Sequence, residues 1–306
     1  MLIPDIAVGE LVQRGTKSTE STTVELKLLG GFDFLIDGES QSFGQSTKRL
    51  LSLLAMTPSP MTRVQVAGTL WPDAAATRAN ANLRSAVWRI QRSCPDVVAA
   101  SFSSLRLMPH VVVDVHEWAA VARRLINLAD HMDENELGDA LRRSVQTELL
   151  PELGDEEWLS PERERYRQLS LHALEALSER FTAIGWYGAA VETALRAVRL
   201  DPFRESAHRA LVFAFLAEGN VCDARRQYRK YQALLRSELG IQPSVGFDNL
   251  VNSMAEGTPG ERLALANHVA QRVSSMRMQD ASAAAFSAAS PRASLTRSAT
   301  RSSTAR

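Results

Sequence analysis

A repeat in the second half of the chain limits the folds open to it more than any other feature. Gly185 and Gly219 stand 34 residues apart, and Leu177 with Leu211 and Ala190 with Ala224 keep the same interval. Each glycine falls between two segments of helical period. Leu171 to Ile184 and Tyr187 to Leu200 flank the first; Glu205 to Glu218 and Val221 to Leu239 flank the second, and Asp201-Pro202 separates the pairs. A helical hairpin cannot hide its apolar face alone, so hairpins of this length stack and share one core.

The interval is the tetratricopeptide period. Helical periodicity extends from Val115 to about Asn252, which places an all-α, tetratricopeptide-like domain at residues 116–258. The pattern before it is different. Val24, Leu26 and Leu28 alternate with Glu25 and Lys27, Gly30-Gly31 breaks the run, and Phe32, Phe34 and Ile36 follow on one face. A turn at Asp37-Gly38 leads to a third short strand at Ser40 to Phe43. Ser46 or Thr47 caps a first helix, carrying Leu50, Leu51, Leu53 and Leu54, that Pro58 and Pro60 stop. Thr62 caps a second helix with Val64, Val66, Ala67 and Leu70, closed by Trp71-Pro72 because a residue before proline leaves the helical region. A third helix runs from about Thr77 to Arg92. After Pro95, Val97-Val98, a Ser-rich turn at Ser101-Phe102-Ser103-Ser104, and Leu105 to Val113 read as a hairpin.

Strands, three helices and a hairpin make residues 24–115 an α+β winged helix-turn-helix domain, and the whole chain mainly α. Residues 1–23, ending in Ser18-Thr19-Glu20-Ser21-Thr22-Thr23, read as a mobile arm. Residues 259–306 shift to Ala, Ser, Thr and Arg and read as a mostly disordered tail, whose Arg292, Arg297, Arg301 and Arg306 add either general attraction to DNA or nothing.

The third helix carries the functional signal. Leu83, Ala86, Val87 and Ile90 form its buried stripe, and the opposite face presents Arg78, Ser85, Trp88, Arg89 and Arg92, with Asn82 and Arg84 on the flanks. No acid stands between Thr77 and Arg92. Arginine pairs bidentately with guanine and asparagine with adenine in a major groove wide enough for a helix. A basic amphipathic helix is otherwise an ordinary solvated face; what favours DNA is its place after two short helices and before a hairpin bearing Arg106. Arg63, at the second helix, is a further candidate for phosphate. Trp88 faces either the bases or, packed, the wing or a neighbouring copy.

Other chemistry is thinly supplied. Net charge is zero, so basic character is local rather than global. No stretch approaches the roughly 18 apolar residues that cross a bilayer, and the N-terminus lacks the order of a signal peptide, so the expectation is a cytoplasmic protein without a membrane partner. Cys94 and Cys222 are expected to be free thiols, and the six histidines are dispersed, which leaves no pattern for a metal or cofactor. Asp155-Glu156-Glu157 reads as acids complementing a helix start rather than as a catalytic pair. Without a nucleotide loop or a catalytic constellation, the chain is not expected to be an enzyme.

These residues also carry a family resemblance. Residues 24–113 resemble the OmpR-type winged helix, and Leu70-Trp71 with the run from Asn82 to Arg92 resembles the recognition-helix pattern of the Streptomyces antibiotic regulatory protein (SARP) family. Five blocks, Leu149 to Leu153, Asp155 to Leu159, Pro161 to Arg165, Leu200 to Glu205 and Glu238 to Ser244, resemble those of the bacterial transcriptional activation domain. The resemblance implies a transcriptional activator that binds direct repeats of double-stranded DNA upstream of a promoter, as a homodimer in one arrangement, and recruits RNA polymerase holoenzyme. Its rival is a protein-binding scaffold whose winged helix serves protein contacts.

The repeat itself is testable, since Ala190 and Ala224 should mark close helix contacts. Ala190→Leu should overpack the hairpin and cost about 1–3 kcal/mol, seen as a lower urea midpoint; an unchanged midpoint would mean that the repeat is misplaced.

Overall fold

The computed structural model describes residues 23–128, 131–144 and 148–256. The mobile arm and the Ala/Ser/Arg-rich tail expected from the sequence lie outside these, apart from Thr23.

Strand β1 (Val24–Lys27) pairs antiparallel with β2 (Asp33–Ile36), which pairs with the two-residue β3 (Glu39–Ser40). Phe43, expected to end the third strand, instead packs edge-on against Phe34 with ring centroids 5.3 Å apart. Helix α1 (Gln45–Met56) begins earlier than expected: Gly44 is its N-cap, and the amides of Thr47 and Lys48 already donate to the Gly44 carbonyl. Thr47 therefore lies inside the helix, fully buried. After β4 (Met61–Thr62) come α2 (Arg63–Leu70) and α3 (Ala76–Ser93). Val64 is 76% exposed and not part of the α2 core face as expected, because it lies two residues, or about 200° of helix, from buried Val66.

Strands β5 (Val98–Ala100) and β6 (Ser104–Leu107) form the expected hairpin, and β4 joins it in a second sheet of order β4-β6-β5. Val111 to Val113 do not belong to this hairpin. Pro109 interrupts the run, and β7 (Val112–Val113) crosses to pair in parallel with β1, completing a first sheet of order β3-β2-β1-β7.

Beyond Lys27 the first strand continues without a partner strand, yet its amides are satisfied. The Asp114 carboxylate accepts the Leu28 amide at 3.0 Å on both oxygens, Leu29 at 2.9 Å and Val115 at 2.7 Å. Asp114 thereby opens α4 (Asp114–Leu128) at the edge of the sheet. Residues 148–154 close the same edge: Gly30 N donates to Glu148 O, Leu150 N to Leu28 O at 2.8 Å, and Phe32 N to the Glu152 carboxylate, with an isolated bridge between Leu29 and Leu149. This stretch departs from the uninterrupted helical periodicity read from the sequence.

Helices α5 (Glu134–Arg143), α6 (Ser160–Ala183), α7 (Tyr187–Leu200), α8 (Glu205–Glu218), α9 (Val221–Glu238) and α10 (Val245–Glu256) make up the rest. Helix α6 starts at Ser160 rather than Leu171, since Pro161 suits the first helical turn and Tyr166 extends the buried face. Successive helices from α6 to α9 pack on one another, as the repeat requires. Gly185 and Gly219 adopt φ of 82° and 90°, and in both turns the next amide reaches back to a phenylalanine carbonyl, Trp186 N to Phe181 O and Asn220 N to Phe215 O, each at 2.8 Å. Such a left-handed closure suits glycine. Ala190, Ala194, Ala197 and Ala224 are fully buried where the helices meet.

One apolar core runs from Val24 through α1–α4 into α6 and α7. The structure is a small α+β region followed by a helical repeat. Among the described residues no helix is long and apolar enough to cross a membrane.

The sheet edge yields a test. Burial raises the Asp114 carboxyl above its ordinary 3.8, opposed by the three backbone amides and reinforced by Glu117. A raised carboxyl holds its proton more tightly folded than unfolded, so its contribution to stability is greatest below 3.8 and falls as pH rises through the raised value. Asp114→Asn should remove that part of the pH slope and, by turning an amide NH2 toward backbone donors, cost about 1–3 kcal/mol at neutral pH. Urea denaturation at several pH values reads both effects.

Candidate nucleic-acid interface

Helix α2 is held at its start by local chemistry. Thr62 Oγ1 accepts the Gln65 amide at 3.2 Å while Gln65 Oε1 accepts the Thr62 amide at 3.0 Å, a reciprocal cap. Thr62 also belongs to β4, whose register opposite Ser104 fixes α2 against the hairpin. The turn after α2 brings α3 across it, seated by Ala79, Leu83, Ala86, Val87 and Ile90.

The remaining face of α3 is open. Arg78, Arg84, Ser85, Trp88, Arg89 and Arg92 are exposed, and Asn82 is half-buried on the flank. Neither these four arginines nor exposed Arg106 on β6 makes an ion pair with another described residue. The Arg92 guanidinium instead lies 5.1 Å from the centre of the Trp88 ring, a cation–π contact that leaves the charge outward. Such a face can neutralise phosphates or hydrogen-bond to bases.

The hairpin tip meets α2. Arg63 donates through its backbone amide to Ser103 O and through Nε to Ser101 O, both at 3.0 Å. A cleft of about 400 Å3 separates the tip from α3, and of the residues singled out from the sequence it gathers Arg63, Arg84 and Trp88. Trp88 is 57% exposed there, so within the chain it is not packed against the wing. Arg78 lies elsewhere, on a larger cleft shared with Trp71, Asp155 and Glu157, while Asn82, Ser85, Arg89, Arg92 and Arg106 line neither. Sequence reasoning missed Phe102, Asn80 and Gln91 on the smaller cleft. Only a lone aromatic in a serine-rich turn could have drawn attention to the first.

The acidic run also has a different role from the one expected. Glu156 stands in the turn that leads into α6, its carbonyl accepting the Leu159 and Ser160 amides, but its carboxylate is engaged elsewhere: Arg49 of α1 approaches it with two N···O distances of 2.7 Å, and Trp158 Nε1 donates to it at 3.0 Å. This pair ties the second half of the chain to the first. Among the described residues no group of His, Cys, Asp or Glu is placed to hold a metal ion.

Residues 113–254 match the family described as the bacterial transcriptional activator domain. The matched segment is 142 of the chain's 306 residues (254 − 113 + 1). No curated protein matches the chain. Its fold is similar to the solved structure of Mycobacterium tuberculosis EmbR in complex with low affinity phosphopeptide, with a TM-score of 0.68 and 22% identity over 83% of this chain and 71% of that one. The α+β region preceding the matched domain is therefore part of a shared architecture.

Because the reciprocal cap positions α2 under the hairpin, Thr62→Ala should lower the stability of the protein by about 0.5–2 kcal/mol. Thermal melting checks this; no change in midpoint would mean that the cap carries little of the geometry.

Proposed function

We propose that this protein is a SARP-type transcriptional regulator that binds duplex DNA with α3 in the major groove and the β5–β6 hairpin as a wing, at direct repeats upstream of promoters, and that residues 113–254 recruit RNA polymerase holoenzyme. It acts in the cytoplasm, as a homodimer on DNA in the simplest arrangement, without catalysis or a cofactor. One observation carries the reading: Arg78, Arg84, Arg89 and Arg92 stand exposed, without an ion pair to any described residue, on a helix whose other face is locked into the core. Elsewhere guanidinium groups commonly have carboxylate partners, as in Arg49–Glu156, Arg167–Asp201 and Arg204–Glu175. Cations on one helix without carboxylate partners fit a polyanion, and a helix fits the groove.

The helical repeat supports the second half of the proposal, because stacked helical hairpins offer an extended surface to protein partners. A scaffold without DNA binding would need these arginines to serve acidic protein instead.

Arg84→Ala in the full chain should weaken binding to the preferred duplex by about 1–3 kcal/mol and relax base preference, while Arg106→Ala should reduce the salt slope by roughly 0.9 for each phosphate it no longer neutralises. Gel shifts in increasing salt measure both. Substitutions on the exposed helices of residues 116–258 should leave affinity unchanged yet lower transcription by purified holoenzyme. Absence of salt-dependent binding to any duplex would favour the scaffold.

A further inference from the structure

Phe102 is 100% exposed, the extreme among the large apolar side chains of the described residues. Nothing in the fold needs it there. The turn that carries it is nonetheless held by a set of hydrogen bonds. Ser101 N donates to Ser104 O at 2.9 Å, Ser101 Oγ accepts the amides of Ser103 at 3.2 Å and Ser104 at 2.9 Å, and Arg63 holds the carbonyls of Ser101 and Ser103. An aromatic ring is thus presented to solvent on a turn whose conformational entropy has already been given up in folding, which is how binding elements are preorganised.

Its surroundings specify the occupant. The cleft that Phe102 shares with α3 contains Arg63, Arg84 and the half-exposed Trp88, and no acidic residue lines it. Cations flanking an aromatic tip match a ligand with charged rims and an apolar interior. The minor groove of DNA has that form, with phosphates on both rims and sugar and base surfaces between them. A purely apolar partner would leave the two guanidinium charges without a counter-charge, since Arg63 meets only the neutral Ser101 carbonyl.

We propose that Phe102 is an apolar wedge that enters the minor groove next to the major groove occupied by α3 and partly unstacks a base step there. The inference rests on the DNA-binding reading and extends it to specificity. A wedge costs least where stacking yields easily, so it selects flexible pyrimidine–purine steps under the wing without hydrogen-bonding to them.

The test uses the full chain and the short duplex most enriched by it from a random-sequence pool, with anisotropy at several salt concentrations and energy transfer between the duplex ends. Phe102→Ala should lower affinity on the order of tenfold, the reduction expected from an apolar side chain no longer buried. It should also reduce bending, while the salt slope stays unchanged because no charge is removed. Phe102→Leu, which keeps a wedge, should remain near the wild type. If Phe102→Ala binds and bends as the wild type does while salt-dependent binding persists, the wedge is refuted and the DNA-binding reading stands. A reduction confined to duplexes holding two copies assigns Phe102 to a contact between copies and also refutes it. Failure of the wild type to bind any duplex in a salt-dependent way overturns both.

Discussion

The structure depends on how the edge of the first sheet is closed. Strand β1 outruns its partner β7, and the amides of Leu28 and Leu29 would be orphaned in a half-buried edge, each at a cost comparable to that of a missing hydrogen bond. The Asp114 carboxylate takes both. Since Asp114 is also the first residue of α4, satisfying the sheet fixes where that helix begins. Helix α4 then carries Trp118, whose Nε1 donates to Ser170 Oγ of α6 at 2.9 Å, and His116, whose ring meets Ala55 O of α1 at 2.8 Å. From one carboxylate the geometry passes to both halves of the molecule.

The blocks that resemble the activation domain are explained by the same logic. Arg163 donates to the carbonyls of Leu149, Leu150 and Gly154, so the third block holds the first against the sheet. Leu150 adopts φ of 48°, a left-handed conformation uncommon for leucine, while its side chain is fully buried and its amide reaches Leu28. Asp201 pairs with Arg167 at 2.9 Å, Arg204 with the buried Glu175 at 2.7 Å, and Ser244 N donates to Glu205 at 2.8 Å. Glu175 would be costly alone, but Arg204 and Ser206 both reach its Oε1. These blocks are clamps between helices and give the repeat its register.

Against this well-paired framework the α2–α3 face is unusual. The arginines of α3 are left without ion pairs to described residues, and Val64, Trp88 and, on the adjoining hairpin tip, Phe102 are exposed, so little apolar surface is buried there. Stability comes from the opposite face of α3 and from the hairpin turn. The face is therefore free to be selected for what it meets, and the rigidity beneath it means that binding there incurs little further cost of ordering.

Periodicity alone determined a great deal. The 34-residue interval implied stacked helical hairpins, and Gly185 and Gly219 do close turns of the same form, because backbone sterics leave little else at a left-handed cap. Thr62 was legible as a cap, and the apolar stripe of α3 located the opposite, cationic face, because both are local consequences of helix geometry. Pairings distant in sequence were not legible. The pairing of β7 with β1, the Arg49–Glu156 tie and the approach of residues 148–154 to the sheet each depend on which elements meet in space. The same holds for Phe102: a serine-rich turn can be read from residues 101–104, but that its aromatic ring stands fully exposed beside Arg63, Arg84 and Trp88 is decided only once the hairpin has docked on α2, because no local pattern encodes exposure or the neighbours brought by packing.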